Sequence, residues 1–428
     1  MNNWRVLLCL LPFVGQAGEI PSPVLPAGVG VNIHFVRGHE QELQLIQAAG
    51  FKFIRMDFSW TEIETRKGHY DWAAYEELLD NLDRHGLRAI LILDYSHPLY
   101  EQKVTAINPM DNKPHETVAA PGHRESVAAF VSWAGAGARH FRGRHVIWEI
   151  WNEPNIEFWS PLPDVGRYSV LALATAKSIR AADPEATIIG PASSEFPWDF
   201  LEAFLQSGVL EYLDAVSVHP YRRNRPPETA AEDFQRLRAL IDHCAPAARK
   251  GKIPILSGEW GYSTYTKGVS SGTQAAFAVR QQLHNLLNGI PLSIWYDWMN
   301  DGPDSTEKEQ NWGTVMPDLR PKPAYLALKT MTHELTGCHI SRRLPLASDE
   351  DYVLVCTDPA NRQKLAGWTL GEPHSVAVPL NPAEPVGIVV IDSTGASVPP
   401  KLESGRLVLE LTASPQYVRL GEAVVATP

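Results

Sequence analysis

Short runs of β-branched and other apolar residues alternate with amphipathic segments of helical length from about residue 28 onward. The runs predict eight strands, at 29–35, 51–58, 88–95, 145–151, 187–191, 215–219, 253–257 and 292–298. The segments between and after them predict helices, at 40–49, 72–85, 126–141, 166–182, 231–244, 274–287 and 324–336. Strands that alternate with helices are typical of βα units, and eight of them indicate a closed (β/α)8 TIM barrel of the α/β class.

The pattern changes after Gly337, where the helical period stops. Short apolar runs then alternate with Pro, Gly, Asn and Asp, and they predict strands at 352–357, 386–391, 406–411 and 416–420. Such spacing is typical of a small antiparallel β-sandwich domain. Because no linker precedes it, we expect a docked domain over 337–428 behind a barrel over 18–336.

The first seventeen residues have the features of a signal peptide. Arg5 precedes an apolar run over 6–14, and Gly15-Gln16-Ala17 then forms a small-x-small cleavage site. The run is too short to span a bilayer, and the pattern predicts cleavage after Ala17. We therefore expect a secreted or periplasmic protein without a membrane span.

Cysteine use indicates that disulfides do not hold the fold together. After cleavage three cysteines remain, Cys244, Cys338 and Cys356. Export permits a disulfide, and Cys338 with Cys356 is the candidate pair because both fall in or beside neighbouring predicted strands. The odd cysteine argues against a disulfide-stapled architecture.

Composition excludes several classes of partner. The chain of 428 residues is 44% hydrophobic and 20% charged, as in folded globular proteins, and its net charge is −11. This acidic balance disfavours nucleic acids and anionic membranes as partners. No His or Cys cluster has metal-ligand spacing, and no glycine-rich loop follows a strand, so the sequence predicts no metal and no cofactor.

Two glutamates at predicted strand ends carry the candidate chemistry. Glu153 lies in Trp-Asn-Glu-Pro after the fourth strand, and Glu259 lies in Ser-Gly-Glu-Trp after the seventh. A single such glutamate is usually a solvated strand end. Two of them at the carboxyl face of one barrel match the pair of carboxylates that glycoside hydrolysis requires.

This pair of motifs resembles the retaining (β/α)8 glycosidases of clan A, nearest to family 39 with families 5 and 30 behind it. The resemblance covers about residues 28–330 and implies that Glu153 is the general acid/base and Glu259 the nucleophile. It also implies that Arg55 holds the nucleophile ionised and that Asn152 binds the sugar 2-hydroxyl.

The same resemblance extends to the sixth strand, where His219 and Tyr221 match a His-x-Tyr motif of the clan. There the tyrosine bonds the nucleophile and the histidine lies near the acid/base. Clan A also places a tryptophan on the eighth strand as the floor of the −1 sugar subsite. We expect Trp295 to have this role, with Trp298 as the competitor.

Other polar and aromatic residues near the strand ends are candidates of lower specificity. Asn32, His34, Asp94 and His97 follow the first and third strands, and Glu149 has the parity of a residue that pairs inside the barrel. Five further aromatic residues would suit either sugar stacking or core packing: Trp60, Trp159, Trp260, Tyr262 and Trp312.

The resulting interpretation is a retaining glycoside hydrolase that cleaves β-linked bonds of an oligo- or polysaccharide. The resemblance implies either β-xylosidase-like action or endo-action on a glycan such as an exopolysaccharide. The long loop over 97–122 is expected to build substrate subsites or a lid. Two alternatives remain open, a catalytically silent carbohydrate-binding barrel and a transglycosylase that passes the sugar to another sugar.

Overall fold

The computed structural model describes residues 20–108, 113–382 and 386–426, so the predicted signal peptide lies outside the described residues. Eight parallel strands form a closed barrel: Val29–Asn32, Phe53–Ser59, Arg88–Asp94, Ile147–Ile150, Thr187–Ser194, Ala215–His219, Ile255–Trp260 and Ser293–Trp295. Each strand pairs with its neighbours in sequence, and the first strand closes on the last through Val29 opposite Ser293. The predicted (β/α)8 fold is confirmed.

Helices surround the barrel. They are Glu40–Ala48, Trp60–Ile63, Ala73–Arg84, Arg124–His140, Val165–Ala182, Trp198–Gln206, Ala231–Cys244, Ser271–Leu287 and Pro323–Glu334. The sequence analysis does not predict the helix Trp198–Gln206, which is short and contains Trp198, Phe200 and Phe204, residues of types that also favour strands. Short 3-10 turns lie at Val209–Glu211, Pro227–Ala230, Ala247–Arg249 and Lys308–Asn311.

The barrel interior is apolar at its base and polar above it. The base consists of Phe53, Ile90, Ile147, Ile189, Ala215, Leu256, Leu292 and Ile294. Arg55 and Glu149 each lie two residues beyond a member of this cluster. Because alternate residues of a strand share a face, their side chains enter the same interior one layer higher. Polar groups are thereby collected at the carboxyl ends of the strands.

The loop that follows the third strand carries its own hairpin. Strands Lys103–Asn108 and Lys113–Val118 pair antiparallel, with Lys103 opposite Val118. The chain then enters the helix Arg124–His140. The hairpin therefore projects from the carboxyl face of the barrel, beside the loop that follows the fourth strand.

The C-terminal region contains two antiparallel sheets, as predicted. One sheet has six strands, in the spatial order His339–Arg343, Asp351–Thr357, Gln363–Thr369, Gln416–Arg419, Val389–Ile391 and Ser397–Val398. The other has four, Lys401–Glu403, Arg406–Leu411, His374–Asn381 and Val424–Val425.

The six-stranded sheet is a middle layer that belongs to two cores. Leu354 and Trp368 on one face join the apolar core of the barrel and its helices. Val353 and Leu365 on the other face pack with residues of the four-stranded sheet. The sheet is therefore docked on the barrel through an apolar face.

A polar contact lies within this docked interface. The Trp368 indole donates to Glu228 at 2.8 Å, and Arg280 donates two hydrogen bonds to the same carboxylate at 2.8 and 2.7 Å. All three side chains are buried. The interface thus combines apolar burial with a satisfied ion pair, the condition under which buried charge is tolerated.

The three described cysteines are free thiols, so the candidate disulfide between Cys338 and Cys356 is not formed. Strand register gives the reason, since Ile340 rather than Cys338 lies opposite Cys356. Among the described helices, none has the length and apolar character needed to cross a bilayer.

The docked interface predicts a large effect of truncating Trp368. The Trp368→Ala variant removes a fully buried indole and one hydrogen bond to Glu228. We expect it to lower the free energy of unfolding by about 3–5 kcal/mol, measured by chemical denaturation. Leu402→Ala, at an exposed position of the outer sheet, is the matched control and should change stability little. Equal effects of the two substitutions would contradict the docked arrangement.

Candidate active site

The two strand-end glutamates meet at the carboxyl face of the barrel. Glu259 lies within the seventh strand, while Glu153 follows the fourth strand by three residues. Trp151 and Glu153 both adopt left-handed backbone, with φ of 69° and 47°. Non-glycine residues rarely adopt this conformation, and it turns the chain sharply here. One carboxylate oxygen of each glutamate lies within 4.8 Å of the other and of a His219 ring nitrogen.

Arg55 is the buried centre of this site. Its Nε donates to Glu149 at 2.6 Å, and its Nη1 donates to Glu259 at 2.7 Å. Nη1 also donates to the side-chain oxygen of Asn32 at 3.3 Å, and Nη2 donates to the side-chain oxygen of Asn152 at 2.8 Å. Burial lowers the pKa of the guanidinium, but the carboxylates of Glu149 and Glu259 raise it further. Arg55 is therefore a permanent cation within the barrel.

Glu259 accepts hydrogen bonds at both carboxylate oxygens. Arg55 donates to Oε2, and the Tyr221 hydroxyl donates to Oε1 at 2.7 Å. Two donors, one of them cationic, match the acceptor-only character of an ionised carboxylate. The environment therefore favours an anionic Glu259 with a fixed orientation.

Glu153 has a different partner, and the partner's tautomer follows from the geometry. His219 Nε2 lies 3.3 Å from Arg55 Nη2, which only donates, so Nε2 accepts. Burial lowers the pKa of His219 to about 4, so the ring is neutral and its single proton is on Nδ1. His219 Nδ1 then donates to Glu153 Oε1 at 2.9 Å. Because Oε1 already accepts from His219, a proton on Glu153 is carried by the other carboxyl oxygen.

Burial alters the acidity of Glu153. Desolvation raises the pKa of Glu153 to about 7, against opposing effects of Ser194 and Arg55. Glu259, by contrast, receives its hydrogen bonds from a cation and a phenol. Paired carboxyl groups in such unlike surroundings are the pattern expected of an acid and an anion that act together.

Asn152 connects the centre to the third strand. Its oxygen accepts from Arg55, and its amide nitrogen donates to the Tyr95 hydroxyl at 2.9 Å. Asn32, on the first strand, supplies a second amide oxygen to Arg55. Both amides are buried and thus fixed in orientation.

Aromatic residues form one wall of the site. Trp312 lies edge-on to Tyr221 at 5.7 Å and to Tyr296 at 5.8 Å. Tyr296 in turn contacts the His34 ring at 5.9 Å. Tyr296 is half-buried, so it has a face toward the cleft. His34 lies at the rim, 3.5 Å from the buried carboxylate of Asp297.

A second pair of carboxyl groups lies above Arg55. Asp94 is buried, and Asp57 is exposed to the cleft two residues beyond Arg55 on the same strand face. Burial, and then the neighbouring Asp57, raise the pKa of Asp94 well above its usual value. Asp94 therefore favours its protonated form.

Trp295 is wrong as the floor of the site. Ser293 faces the helices, because its hydroxyl accepts from Asn285 of the helix Ser271–Leu287 at 2.8 Å. Trp295, two residues later, therefore has the same outward orientation, and it is fully buried near Tyr262 at 6.3 Å. Tyr296 has the inward position instead.

Trp298 is also excluded from the site, because the eighth strand ends at Trp295 and does not extend to 298 as predicted. The Trp298 indole donates to Glu42 at 2.9 Å, and its ring lies near Tyr325 at 6.1 Å. Both partners belong to surrounding helices. Trp298 therefore fastens the barrel to its helices.

His97 does not enter the site either. Leu99 N–H donates to its Nδ1 at 3.0 Å, so the neutral ring donates from Nε2 to the Glu64 carbonyl at 2.8 Å. Its ring lies edge-on to Trp60 at 5.1 Å. Of the five lower-specificity aromatics, Trp312 reaches the site wall, while four are packed within the apolar core: Trp60, Trp159, Trp260 and Tyr262.

Three residues of the site are absent from the sequence-based candidates: Asp57, Tyr95 and Tyr296. Strand parity is the signal that finds Asp57, since it is two residues beyond Arg55. Parity from Ile294 of the interior cluster likewise finds Tyr296. Tyr95 follows the last residue of its strand, where parity no longer applies.

Glu153, His219 and Glu259 also form a set with metal-ligand spacing among the described residues. The chemistry of the set does not fit a cation, however. Arg55 donates to Glu259 and contacts His219, so a metal ion held by this set would be repelled by the guanidinium charge at close range.

Arg55 is predicted to be essential for stability. Arg55→Met would leave the fully buried Glu149 carboxylate without its cationic partner. We expect a loss of about 3–5 kcal/mol in the free energy of unfolding, measured by chemical denaturation. The double variant Arg55→Met/Glu149→Gln removes the stranded charge and should recover part of the loss. A single variant that unfolds at the parent midpoint would contradict this account.

Comparisons with known proteins place the chain among the glycosyl hydrolases. A family model described as cellulase, glycosyl hydrolase family 5, matches residues 25–302. A β-xylosidase of Geobacillus stearothermophilus is 32% identical over 116 residues, 22% of each chain. A 6-phospho-β-glucosidase of Dickeya chrysanthemi is 23% identical over 250 residues, 50% of this chain and 51% of the relative. The matches therefore span at most about half the length of these curated relatives.

Solved structures share the whole fold. A family 39 glycoside hydrolase from Bacteroides cellulosilyticus WH2 aligns with a TM-score of 0.77 at 22% identity, over 94% of this chain and 81% of that one. A family 39 β-xylosidase from Caulobacter crescentus aligns with a TM-score of 0.67 at 18% identity, over 92% and 96%. The match of the family model covers well over half of the chain. The chain therefore belongs to the cellulase family, glycosyl hydrolase family 5 of clan A, and its fold is also that of family 39 enzymes.

Proposed function

We propose that the protein hydrolyses β-linked bonds of an oligo- or polysaccharide with retention of configuration, through a covalent glycosyl-Glu259 intermediate. The observation that carries this proposal is the pairing of Glu153 with Glu259, whose nearest oxygens lie within 4.8 Å. Retaining enzymes hold their carboxyl groups about 5–5.5 Å apart, whereas inverting enzymes need roughly 6.5–9.5 Å to admit a water molecule.

Unlike environments support the assignment of roles. A nucleophile must be unprotonated, and Glu259 accepts hydrogen bonds from Arg55 and Tyr221 at both oxygens. An acid must hold a proton near neutral pH, and burial raises the pKa of Glu153 to about 7. A silent carbohydrate-binding barrel would not require these unlike environments for its two glutamates.

The reaction then has two displacements. A Glu259 oxygen forms a bond to the anomeric carbon while the bond to the leaving oxygen breaks, and Glu153 gives its proton to that oxygen. In the second step water attacks the same carbon, loses a proton to Glu153 and releases the Glu259 carboxylate.

Two further side chains are proposed to position the sugar. Asn152 is fixed by Arg55 and Tyr95, and we assign it the 2-hydroxyl contact that strengthens in the transition state. Tyr296, half-buried in the aromatic wall, is assigned as the floor beneath the reacting sugar.

We propose β-xylosidase-like or endo-glycanase-like action, because similar proteins from Geobacillus stearothermophilus and Caulobacter crescentus are β-xylosidases. We also propose export of the enzyme to the periplasm or medium after removal of residues 1–17. An extracellular location fits a polysaccharide substrate that cannot enter the cell.

The two glutamates should respond differently to truncation and azide rescue. Glu153→Ala removes proton delivery, so aryl glycosides with good leaving groups should lose less rate than those with poor ones. Added azide should attack the intermediate and give a β-glycosyl azide. Glu259→Ala removes the nucleophile, so any azide product should be the α-anomer.

Product configuration by NMR and rates across a leaving-group series are the measurements. Glu185→Ala, at an exposed position at the opposite end of the barrel, is the matched control and should keep parent rates with all substrates. Swapped azide anomers would reverse the two roles, and inverted first-formed product in the parent enzyme would refute a retaining mechanism.

The pKa of Glu153 predicts the pH dependence. Because burial raises it to about 7, Glu153 is protonated below that pH and loses its proton above it. We therefore expect kcat/KM to be full on the acid side of this value and to fall about tenfold per pH unit well above it. In Glu153→Gln, assayed with an activated aryl glycoside, this basic limb should vanish. A limb that persists in this variant would belong to another group.

A further inference from the structure

A cavity of about 390 Å³ adjoins the active site beside Glu153. Three segments line it. Tyr95 and Ser96 follow the third strand, His115, Thr117 and Val118 belong to the hairpin, and Trp151, Glu157, Phe158 and Ser160 lie in the loop after the fourth strand. Its size falls within the roughly 300–1,000 Å³ of small-molecule sites.

The cavity shares structural elements with the catalytic centre. Tyr95 accepts from Asn152 at 2.9 Å, and Trp151 directly precedes Asn152 in the chain. Glu157 interacts electrostatically with Glu153, and burial raises the pKa of Glu157. A molecule in the cavity would therefore lie on the side of the acid/base, where the leaving group of the reaction departs.

The loop that carries Phe158 and Glu157 is held in place. Asn155 donates to the Ser194 carbonyl at 3.1 Å and accepts from Ser194 N–H at 2.8 Å. The Trp151 indole donates to the Phe158 carbonyl at 3.2 Å. These contacts fix the backbone on both sides of the cavity wall, so the site is pre-formed.

The chemistry of the lining matches a sugar ring. Phe158 stacks on Tyr95 with ring centroids 5.6 Å apart, yet it remains 37% exposed, which is high for a large apolar side chain. An aromatic face offers an apolar surface to the C–H side of a sugar, and the carboxylate of Glu157 can accept from two neighbouring hydroxyls.

The charge of the lining indicates which sugars fit. Among the described residues that line the cavity, none is lysine or arginine, while Glu157 brings a carboxylate close to Glu153. A sugar that bears a carboxylate would meet repulsion from Glu157, and His115 is the lining residue that can oppose this repulsion. An uncharged sugar unit would meet no such repulsion.

We propose that this cavity is the binding site for the leaving-group sugar and that it selects an uncharged unit, with Phe158 as its platform and Glu157 as its hydrogen-bond acceptor. The inference rests on the proposed glycosidase function. It makes the natural substrate a glycan whose unit beyond the scissile bond is neutral.

Two substrates distinguish binding of a sugar in the cavity from the bond cleavage at the catalytic glutamates. A β-glycosyl fluoride has no sugar in its leaving group, whereas the β-linked disaccharide of the same sugar fills the cavity. In Phe158→Ala and Glu157→Gln we expect kcat/KM for the disaccharide to fall about tenfold, as for the loss of one strong contact. Rates with the fluoride should stay within about twofold of the parent. Leu162→Ala, 75% exposed nearby in the sequence and absent from the cavity lining, is the matched control.

A disaccharide with a uronic acid beyond the scissile bond tests the charge argument. The parent should cleave it more slowly than the neutral disaccharide, and Glu157→Gln should narrow the gap. A parent that prefers the acidic substrate would overturn the assignment to an uncharged sugar.

The remaining outcomes separate the two proposals. If the parent hydrolyses the fluoride but Phe158→Ala and Glu157→Gln match Leu162→Ala with the disaccharide, the leaving-group site is refuted and the glycosidase function stands. If the parent hydrolyses neither substrate, the proposed function fails. Calorimetric titration with the disaccharide then tests whether the cavity binds a sugar. Weaker binding by Phe158→Ala than by the parent supports a sugar site, and equal binding refutes it.

Discussion

A buried cation at the centre of the barrel organises the rest of the site. Arg55 is fully buried, so its charge is tolerated only because two carboxylates and two amide oxygens surround it. Glu149 anchors it from below, and Glu259 meets it from above. Because one planar guanidinium bonds both, the position of Glu259 depends on a side chain from the second strand and a carboxylate from the fourth.

The same arrangement determines how the two glutamates differ. Arg55 supplies charge directly to Glu259 but reaches Glu153 only across the His219 ring. The neutral imidazole transmits orientation without transmitting a full positive charge, so burial dominates the acidity of Glu153. One cation thus serves an anionic group and a protonated one because a neutral ring separates it from the second.

Sequence patterns were sufficient for the barrel and for the polar centre, and insufficient for its wall. The alternation of apolar runs and helical segments predicts the eight strands, and the Trp-Asn-Glu-Pro and His-x-Tyr motifs predict which side chains surround Glu259. The error over Trp295 came from its facing, because Ile294 points into the barrel and Trp295 therefore points toward the helices. His97 was misplaced because its ring accepts a hydrogen bond from the backbone N–H of Leu99 and lies against Trp60. A periodic sequence pattern does not reveal such a hydrogen bond within a loop.

The six-stranded sheet has a consequence for how such chains arise. A domain joined by a linker can be moved between genes as an independent module, because its surface is complete without its neighbour. Here Leu354 and Trp368 complete the core of the barrel while Val353 and Leu365 complete that of the outer sheet. Recombination at residue 337 would separate the barrel from the face that carries Leu354 and Trp368 and would expose both sides of that interface. The barrel and its appendage should therefore be inherited as a single unit and diverge together.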